Sequence, residues 1–293
     1  MPDVVLVTGP TGNTGREVVG ALLERGAKVR AGHHRPDDVR ARFGDAVEAV
    51  RLDLRDPTTW AEAARGCASM FLLRPPAIAN TKQTLVPFID AAREQGVGPI
   101  VFLSVAGAGE NEIVPHHAVE VHLRARGPAH TILRPGFFAQ NLQDAYRRDI
   151  VEDDRLYVPA GRGRAAFVDL RDVAEVAALA LCEPAAHREQ AYTLTGPEAI
   201  GFEQVAARLT EAVGRTVSYV PASIPGYLLH LRRRGLPWGQ VVVQTILHVG
   251  LRLGQAETVD PTLASLLGRP GHTLGEYVRD HAALWAGPVH AAG

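Results

Sequence analysis

The sequence predicts an α/β fold in which a doubly wound parallel sheet of the Rossmann type is followed by a smaller, mostly helical C-terminal lobe. Three observations predict this fold. Short β-rich apolar segments alternate with helical patterns through roughly the first 135 residues, which is typical of βαβ units. A glycine-rich stretch directly follows the first of these segments. Beyond residue 135 the alternation loosens, and longer helical patterns dominate.

The periodicity and the turn residues place the individual elements. Strands are expected at residues 4–8, 28–32, 47–52, 68–73, 100–104, 130–134, 165–169 and 191–195, with an edge strand at 217–220. Helices are expected at 16–25, 58–65, 173–182, 202–213 and 274–285. Asp56 and Pro57 are typical of a helix start, and Gly66 is typical of a helix end.

The composition excludes several classes of protein. The 293 residues include 31 basic and 32 acidic side chains, and this balance argues against binding to nucleic acid or to an anionic membrane. No apolar segment approaches the ~20 residues of a membrane span, and the N-terminus lacks a signal pattern, so we expect a cytoplasmic enzyme with a small-molecule substrate. Cys67 and Cys182 have neither disulfide nor zinc spacing and are expected to be buried.

The glycine-rich loop at residues 8–15 follows the first strand and opens the first helix. Gly9 allows a tight turn, Gly12 lets the backbone approach a pyrophosphate, and Gly15 permits close packing of the helix. The helix N-terminus adds unpaired N–H groups that attract phosphates. The alternative is a tight turn without a ligand. The residues expected to bind a dinucleotide are Gly9, Thr11, Gly12, Asn13, Thr14 and Gly15.

The end of the second strand selects the cofactor, because a carboxylate there binds a ribose 2′-hydroxyl whereas basic residues accept a 2′-phosphate. His34 and Arg35 follow this strand, and Arg30 lies within it. The sequence therefore predicts NADPH, with His34 and Arg35 as contacts of the 2′-phosphate. Asp37 and Asp38 are the argument for NADH, and a solvated surface is the alternative.

Two further pairs of residues lie at the carboxyl ends of strands, where open α/β sheets bind ligands. Asp53 and Leu54 follow the third strand, so that the carboxylate can bind the adenine amino group and the leucine can cover the adenine face. Asp53 is equally suited to capping the next turn. Leu73 and Arg74 end the fourth strand, and both are expected to contact the cofactor.

Motifs throughout most of the chain carry a family resemblance. They comprise the loop at 8–15 and the segments 102–107, 131–138, 140–141, 167–169, 172–174 and 192–197. With these motifs the chain resembles the NmrA-like family of atypical short-chain dehydrogenase/reductases, which includes isoflavone reductase-like enzymes and NADPH-dependent quinone reductases.

The resemblance implies how the site and the domains are organised. It implies that Pro135 and Phe137 line the nicotinamide, that Phe138 and Asn141 face the substrate cleft, and that the C-terminal part supplies the substrate pocket. We therefore expect an NAD(P)-binding domain at 1–155, with 165–198 returning to its sheet. The substrate-binding lobe is expected at 199–293.

His116 and Ser104 are the candidate catalytic residues. The helix after the fifth strand lacks the Tyr-x-x-x-Lys spacing, and His116 lies where isoflavone reductase-like enzymes have a lysine. His116 can orient the ribose or donate a proton, since the ordinary pKa of histidine is ~6.5; a surface position is the alternative. Ser104, at the level of the family's active-site serine, can bind a substrate carbonyl or cap the strand. His116 and Glu120 have metal-ligand spacing but no third ligand, so no metal is expected.

The segment at 224–254 is apolar apart from the arginines at 232–234, which are expected on a solvated face. Tyr227 and Trp238 are expected to bind substrate in an apolar pocket, with an ordinary core or a dimer surface as alternatives.

Together these patterns predict an NADPH-dependent reductase, monomeric or homodimeric, that transfers hydride to a small, aromatic quinone, enone or imine. The alternatives are a non-catalytic NADP-sensing regulator and a non-redox isomerase or cyclase on the same scaffold. The apolar C-terminal segment favours the enzyme, because a sensor does not need to enclose a small molecule.

Overall fold

Strands and helices alternate along the first part of the chain, as the apolar segments predict. The structure is a computed structural model that describes residues 3–127 and 129–286. The strands are β1 (Val4–Thr8), β2 (Lys28–His33), β3 (Glu48–Arg51), β4 (Ser69–Leu73), β5 (Ile100–Leu103), β6 (His130–Pro135), β7 (Phe137–Phe138), β8 (Arg155–Val158), β9 (Arg164–Val168), β10 (Gln190–Leu194), β11 (Ala199–Gly201) and β12 (Ser218–Pro221). The helices are α1 (Asn13–Glu24), α2 (Pro36–Phe43), α3 (Trp60–Ala64), α4 (Leu85–Glu94), α5 (Pro115–Ala125), α6 (Asn141–Asp144), α7 (Arg147–Glu152), α8 (Leu170–Cys182), α9 (Pro184–His187), α10 (Phe202–Val213), α11 (Ile224–Arg233), α12 (Trp238–Arg252), α13 (Thr262–Leu267) and α14 (Leu274–Asp280).

Seven strands form one sheet in the order β3-β2-β1-β4-β5-β6-β10, with every neighbouring pair parallel. The order reverses between β1 and β4, which is the point where open α/β sheets bind their ligands. At this point the hydroxyl of Thr8 accepts a hydrogen bond of 3.0 Å from the N–H of Leu73. The predicted doubly wound sheet is confirmed.

The apolar strands are buried because helices pack on the sheet. Helix α1 contacts α8, and α3, α4 and α5 contact one another in sequence order. The strand residues Met70 and Phe102 join Trp60 of α3 and Phe88 of α4 in one core cluster. Parallel strands covered in this way are apolar along their whole length, which explains why their segments are continuous rather than alternating.

The chain divides into two units. The first consists of Met1–Pro135, Leu170–Leu194 and Ser265–Gly268, and the second of Gly136–Asp169, Thr195–Ala264 and Arg269–Gly293. The predicted boundary at residue 155 therefore differs from the observed change of unit after Pro135. Residues 165–169 also do not return to the large sheet, since β9 pairs with β7 and β11 in a separate three-stranded sheet.

The second unit is built from short strands and from helices of up to 15 residues around its own apolar cluster. Its second small sheet pairs β12 with β8, so the predicted edge strand at 217–220 lies there and not beside the large sheet. The segment at 224–254 forms two helices, α11 and α12, separated by Arg234 to Pro237. Strands of two to four residues are too short for a period of two to be recognised in the sequence.

Three local details differ from the sequence-based predictions. Helix α1 begins at Asn13, inside the loop. The predicted helix at 58–65 is a 3-10 turn followed by α3, with Asp56 accepting a hydrogen bond from the N–H of Thr58. Cys67 is buried, but Cys182 at the end of α8 is exposed, contrary to expectation. None of the helices in the described ranges has the length and apolarity needed to cross a membrane.

Candidate active site

The loop between β1 and α1 has the conformation that a nucleotide site requires. Gly9 has a φ of +61°, which a residue with a side chain adopts only with strain. At Gly15 a Cβ atom would lie 2.1 Å from the carbonyl oxygen of Gly9, so any larger residue would displace the loop. The third glycine is therefore required by packing against the loop itself rather than against β1.

The N-terminus of α1 is available to an anion. Gly12 precedes the helix, makes no side-chain cap, and would place a Cβ within 4 Å of only the Gly9 carbonyl oxygen. No acidic residue occupies the first turn, which holds Asn13, Thr14 and Gly15. The leading N–H groups of a helix have no partner within the helix, and together with the helix dipole they favour phosphate. These features fit the pyrophosphate of a dinucleotide.

The end of β2 lies beside this loop through a residue that sequence reasoning did not select. The Nε2 atom of His33 lies 3.3 Å from the hydroxyl oxygen of Thr11, and its Nδ1 atom lies 2.9 Å from the carbonyl oxygen of Arg35. His34 is exposed, with its ring 4.2 Å from that of His33. The structure thus brings Thr11, His33, His34 and Arg35 together. Alternation along a strand could have identified His33, because it predicts that neighbouring residues face opposite sides.

Charges around this corner are arranged differently from the prediction. Arg35 is largely exposed and forms a 2.8 Å ion pair with Asp38, while Asp37 pairs with Arg40 at 2.6 Å. Both carboxylates that argued for NADH are therefore already paired with arginines. Arg30 does not belong to the corner, because it pairs with Glu48 at 2.9 Å and donates to the carbonyl of Arg65.

The residues after β3 serve the local turn. One carboxylate oxygen of Asp53 accepts a 2.9 Å hydrogen bond from the N–H of Arg55, and its carbonyl accepts one from the indole N–H of Trp60. This arrangement supports the turn-capping alternative. Leu54 is buried in the core cluster, so its side chain is not placed to cover an adenine face. The structure does not support adenine contacts for this pair.

Leu73, the last residue of β4, contacts the nucleotide loop, and Arg74, which follows it, contacts the catalytic candidate His116. The Cδ1 atom of Leu73 would lie 3.0 Å from a Cβ at Gly9, so Leu73 packs directly under the loop. Arg74 donates from Nη1 to the carbonyl of Ile78 at 2.7 Å and from Nε to the Nε2 atom of His116 at 3.2 Å. Arg74 therefore holds its own loop against α5, and this use of its guanidinium competes with the predicted cofactor contact.

His116 is buried, not on the surface. Burial, and the nearby charge of Arg74, lower the pKa of His116 to about 4 despite the opposing effect of Glu120. Because Nε2 accepts from Arg74, the proton of the neutral ring is on Nδ1, which has no hydrogen-bond partner within the described residues. A ring in this state is neutral at physiological pH, so the geometry does not support His116 as a proton donor. A positioning role is left for it.

One turn further along α5, Glu120 is fully buried at the centre of what we call the Glu120 cluster, formed with Ser104, Arg124 and Arg134. Its Oε1 atom accepts hydrogen bonds of 2.6 Å from the Ser104 hydroxyl and 3.0 Å from Nε of Arg134. Its Oε2 atom accepts from Nη2 of Arg134 at 2.5 Å and from Arg124 at 3.1 Å. Burial raises the pKa of Glu120, but the hydrogen bonds from Arg134 and Ser104 and the two positive charges outweigh it and hold the pKa below its ordinary value.

The Glu120 cluster affects the predicted roles of Ser104 and Pro135. Ser104 uses its hydroxyl proton on Glu120, so that proton is not free for a substrate carbonyl. The ion pair joins α5 to the end of β6, where the carbonyl of Pro135 accepts a 3.1 Å hydrogen bond from the N–H of Ala106. The cluster therefore fixes the strand end on which the nicotinamide was predicted to lie. The sequence signal was the i, i+4 pair of Glu120 and Arg124, whereas we considered Glu120 only as a metal-ligand partner of His116.

No group of three or more His, Cys, Asp or Glu side chains is placed to hold a metal ion within the described ranges. His116 and Glu120, which have metal-ligand spacing, are bound instead to Arg74 and Arg134.

In the second unit, five predicted site residues have distinct environments. Phe137 and Phe138 form β7 and are partly buried, and Asn141 is the partly buried first residue of α6. Tyr227 is 2% exposed in the core of this unit, which does not support a substrate contact. Trp238 is 60% exposed at the start of α12, with the guanidinium of Arg232 5.0 Å from its ring centre.

The second unit also buries a neutral polar group that the sequence did not indicate. The hydroxyl of Tyr146 donates to Nε2 of His248, whose Nδ1–H donates to the carbonyl of Gln244 at 2.6 Å. The rings of Phe137 and Tyr227 lie edge-on to His248, at 6.2 and 5.3 Å. Burial lowers the pKa of His248 to about 4, against the hydrogen bond to Gln244. We call these four side chains, Phe137, Tyr146, Tyr227 and His248, the His248 cluster.

The arginines at 232–234 do not share one solvated face. Arg234 is 16% exposed and pairs with Asp149 at 2.8 Å and with Glu152 and Asp153. The predicted solvated position therefore holds for Arg232 and Arg233 and is wrong for Arg234.

The parallel sheet, its reversal between β1 and β4, and the anion-ready loop at that reversal define a Rossmann-type dinucleotide-binding protein. The sequence profile of the NmrA-like family matches residues 1–262. The chain belongs to the NmrA-like family, and the predicted family is confirmed.

Three relatives illustrate the similarity. The chain is 32% identical over 291 residues to the NAD(P)H azoreductase of Xenophilus azovorans, covering 96% of this chain and 99% of that protein. The triphenylmethane reductase of Citrobacter sp., crystallised with NADP(H), has a TM-score of 0.84 at 25% identity, covering 94% of this chain and 99% of the other. An NADPH-dependent quinone oxidoreductase of Escherichia coli, crystallised with NADPH, has a TM-score of 0.84 at 27% identity, with 94% and 99% covered.

Proposed function

We propose that this chain reduces a small aromatic acceptor, a quinone, enone or imine, and that its second unit supplies the substrate contacts. When bound, NADPH supplies the hydride. The single observation that carries the proposed acceptor class is the neutral, buried state of His116 on α5.

The cofactor and the general type of reaction are established by the similar proteins. The named relatives are an azoreductase, a triphenylmethane reductase and a quinone oxidoreductase, and the last two are crystallised with NADP(H) or NADPH. The chain is an NAD(P)H-dependent oxidoreductase, and the predicted cofactor, NADPH, is confirmed.

The residues of the first unit fit this cofactor. The open approach to Gly12 and the uncapped N-terminus of α1 would hold the pyrophosphate. His33, His34 and Arg35 would hold the 2′-phosphate, because they form the basic corner beside Thr11. The ion pair of Arg35 with Asp38 is exposed, so exchanging the carboxylate for a phosphate has a low cost.

The acceptor class follows from what α5 lacks. A simple ketone becomes a strongly basic alkoxide when it accepts hydride, so its reduction needs a proton donor in the site. A quinone becomes a delocalised phenolate and a cationic imine becomes a neutral amine, so neither needs an acid from the protein. Helix α5 offers a neutral His116 with a pKa of about 4 and no tyrosine-lysine pair. The site is therefore suited to acceptors that take hydride first and a proton from water.

The acceptor class is tested by following NADPH absorbance with a panel of quinones, enones and cyclic imines, and with simple ketones as the matched control. We expect consumption with the first group and none with the ketones. Turnover of simple ketones at a comparable rate would contradict the proposal. Tight NADPH binding without consumption by any acceptor would favour a sensor, and substrate conversion without NADPH consumption would favour an isomerase or cyclase.

The cofactor contacts are tested with Arg35→Glu, and with Arg40→Glu as a control one turn further along α2. Reversing the charge at the basic corner is expected to weaken NADPH binding by roughly 10- to 100-fold and to spare NADH, since a charge-assisted contact contributes ~1.5–3 kcal/mol. Arg40→Glu should change neither affinity. Equal NADPH affinity of the wild type and Arg35→Glu, measured by fluorescence titration, would remove Arg35 from the site.

A further inference from the structure

Helix α12 exposes its apolar side. Six side chains of this helix and its C-terminal cap are 47–71% exposed: Trp238, Val242, Val243, Ile246, Leu247 and Leu253. With 3.6 residues per turn they fall within about half of the helix circumference. On the opposite half, Val241, Thr245, His248 and Leu251 are buried. We call the exposed half the α12 face. Its polarity is the reverse of that of an ordinary surface helix, whose outer side is polar.

We propose that the α12 face is the interface of a homodimer, in which α12 of one copy packs antiparallel against α12 of a second copy about a twofold axis. The six side chains expose roughly 600 Å² of largely apolar surface, at the upper limit of the patches that monomers tolerate. A standard interface buries about 800 Å² on each partner. The six side chains alone therefore supply about three-quarters of the area of a standard interface, so a second copy of the same face would cover them, and antiparallel packing also opposes the two helix dipoles favourably.

The charges on α12 favour a second copy over a membrane surface. Helices that lie in a membrane interface have an apolar face bordered by several lysines and arginines. Helix α12 carries one arginine, Arg252, at its C-terminal end, where its side chain packs beside Gly161. Arg232 of α11 lies at the other end, with its guanidinium 5.0 Å from the ring of Trp238. Because these two arginines lie at opposite ends of the helix, they do not form a row along the α12 face that could hold anionic headgroups. The α12 face also extends over four turns, more than a small aromatic substrate can cover.

The geometry predicts which residue lies on the twofold axis. Ile246 is one position beyond the middle of the 15-residue helix and 64% exposed. It is also near the middle of the exposed arc, because Trp238 and Leu247 lie at the two edges. In an isologous interface the residue on the axis contacts its own copy. Ile246 should therefore face Ile246 of the second copy.

Sedimentation velocity of the full chain with NADPH tests the proposal. The wild type is expected at twice the mass of one chain at tens of micromolar, and Ile246→Glu at the mass of one chain with unchanged NADPH consumption. Ile113→Glu, at a 91% exposed residue of the first unit, is the control and should remain dimeric. A wild type with the mass of one chain would overturn the proposal.

Cross-linking gives an independent measurement. In a Cys182→Ser background, which removes the exposed native thiol, Ile246→Cys is expected to form an interchain disulfide on mild oxidation, whereas Ile113→Cys is not. A dimer that persists in Ile246→Glu without this cross-link would place the interface elsewhere. A monomeric chain that co-sediments with vesicles containing phosphatidylserine would identify the α12 face as a membrane contact and overturn the proposal.

Discussion

The Glu120 cluster of the first unit and the His248 cluster of the second unit bury polar side chains in different ways. In the first unit the Glu120 cluster keeps a carboxylate ionised with no exposure, because two arginines and a hydroxyl donate to both of its oxygens. In the second unit the His248 cluster keeps an imidazole neutral, because no acidic side chain within the described residues offsets its burial. A buried charge is stable when it is fully paired, and a buried titratable group without such a partner adopts its neutral form.

The two clusters also hold different parts of the molecule in place. The ionised cluster joins α5 to the end of β6 and fixes the loop that follows β5, so it positions the first unit's catalytic candidates. In the neutral cluster, His248 of α12 accepts a hydrogen bond from Tyr146 and packs edge-on to Phe137. Substitutions in the two clusters, and changes of pH, should therefore have different effects on the free energy of unfolding.

The largest effect is expected from Glu120→Gln. Removing the carboxylate leaves Arg134 without its buried partner, and breaking a buried ion pair costs about 3–5 kcal/mol of unfolding free energy. Asp37→Asn, which breaks the exposed pair with Arg40, is the control and should cost less than about 1 kcal/mol. Urea denaturation measures both. Equal costs would mean that the Glu120 cluster contributes no more than a surface ion pair.

A smaller effect is expected from acid on the His248 cluster. The folded pKa of His248, about 4, lies below the ordinary value of ~6.5, so its contribution is present above pH ~6.5 and is lost as the pH falls toward 4. From pH 7 to 5 the wild type should lose roughly 2 kcal/mol through this residue. His248→Leu should lose correspondingly less over the same range in urea titrations.

The contribution of Glu120 to stability should depend on pH over a different range from that of His248. Its lowered pKa means that its contribution is present above ~4.3 and is lost only below that value. The loss between pH 7 and 5 should therefore be the same in the wild type and in Glu120→Gln. A Glu120→Gln variant that flattened this part of the curve would show that the two clusters do not differ as described.

Tyr146→Phe is expected to cost about 1–2 kcal/mol, because it leaves the Nε2 atom of His248 buried without a donor. The double variant with His248→Leu should cost less than the sum of the two single changes, because no unpaired nitrogen then remains. Thermal and urea unfolding measure the coupling. Simple additivity would show that the hydrogen bond contributes nothing beyond packing.

The smallest effect is expected from Ser104→Ala. It removes one donor to Glu120 while both arginines remain, so the expected cost is about 1 kcal/mol. NADPH turnover should change by only a few fold, because the hydroxyl proton is used within the cluster. A fall in kcat of more than 100-fold with unchanged stability would instead place Ser104 on the substrate.

Much of the first unit could be predicted because its signals are local. The apolar strands, the glycine spacing at 8–15 and the basic residues after β2 depend on short-range sterics and on periods of two and 3.6 residues. The sequence did not predict which individual side chains meet at the end of β2. The prediction selected His34 but not His33, which reaches Thr11, and it counted Arg30 among the basic residues of β2 although Arg30 pairs with Glu48 and with the carbonyl of Arg65.

By itself, the sequence determined the parallel sheet, the NmrA-like family, the dinucleotide loop and, through the basic residues after β2, the preference for NADPH, because each depends on residues close together in the chain. The state of His116, the pairing of Glu120 with Arg134, the Tyr146–His248 hydrogen bond and the exposure of α12 were decided only by the tertiary structure. Burial and pairing are properties of residues distant in sequence, and they set the charge of a titratable group.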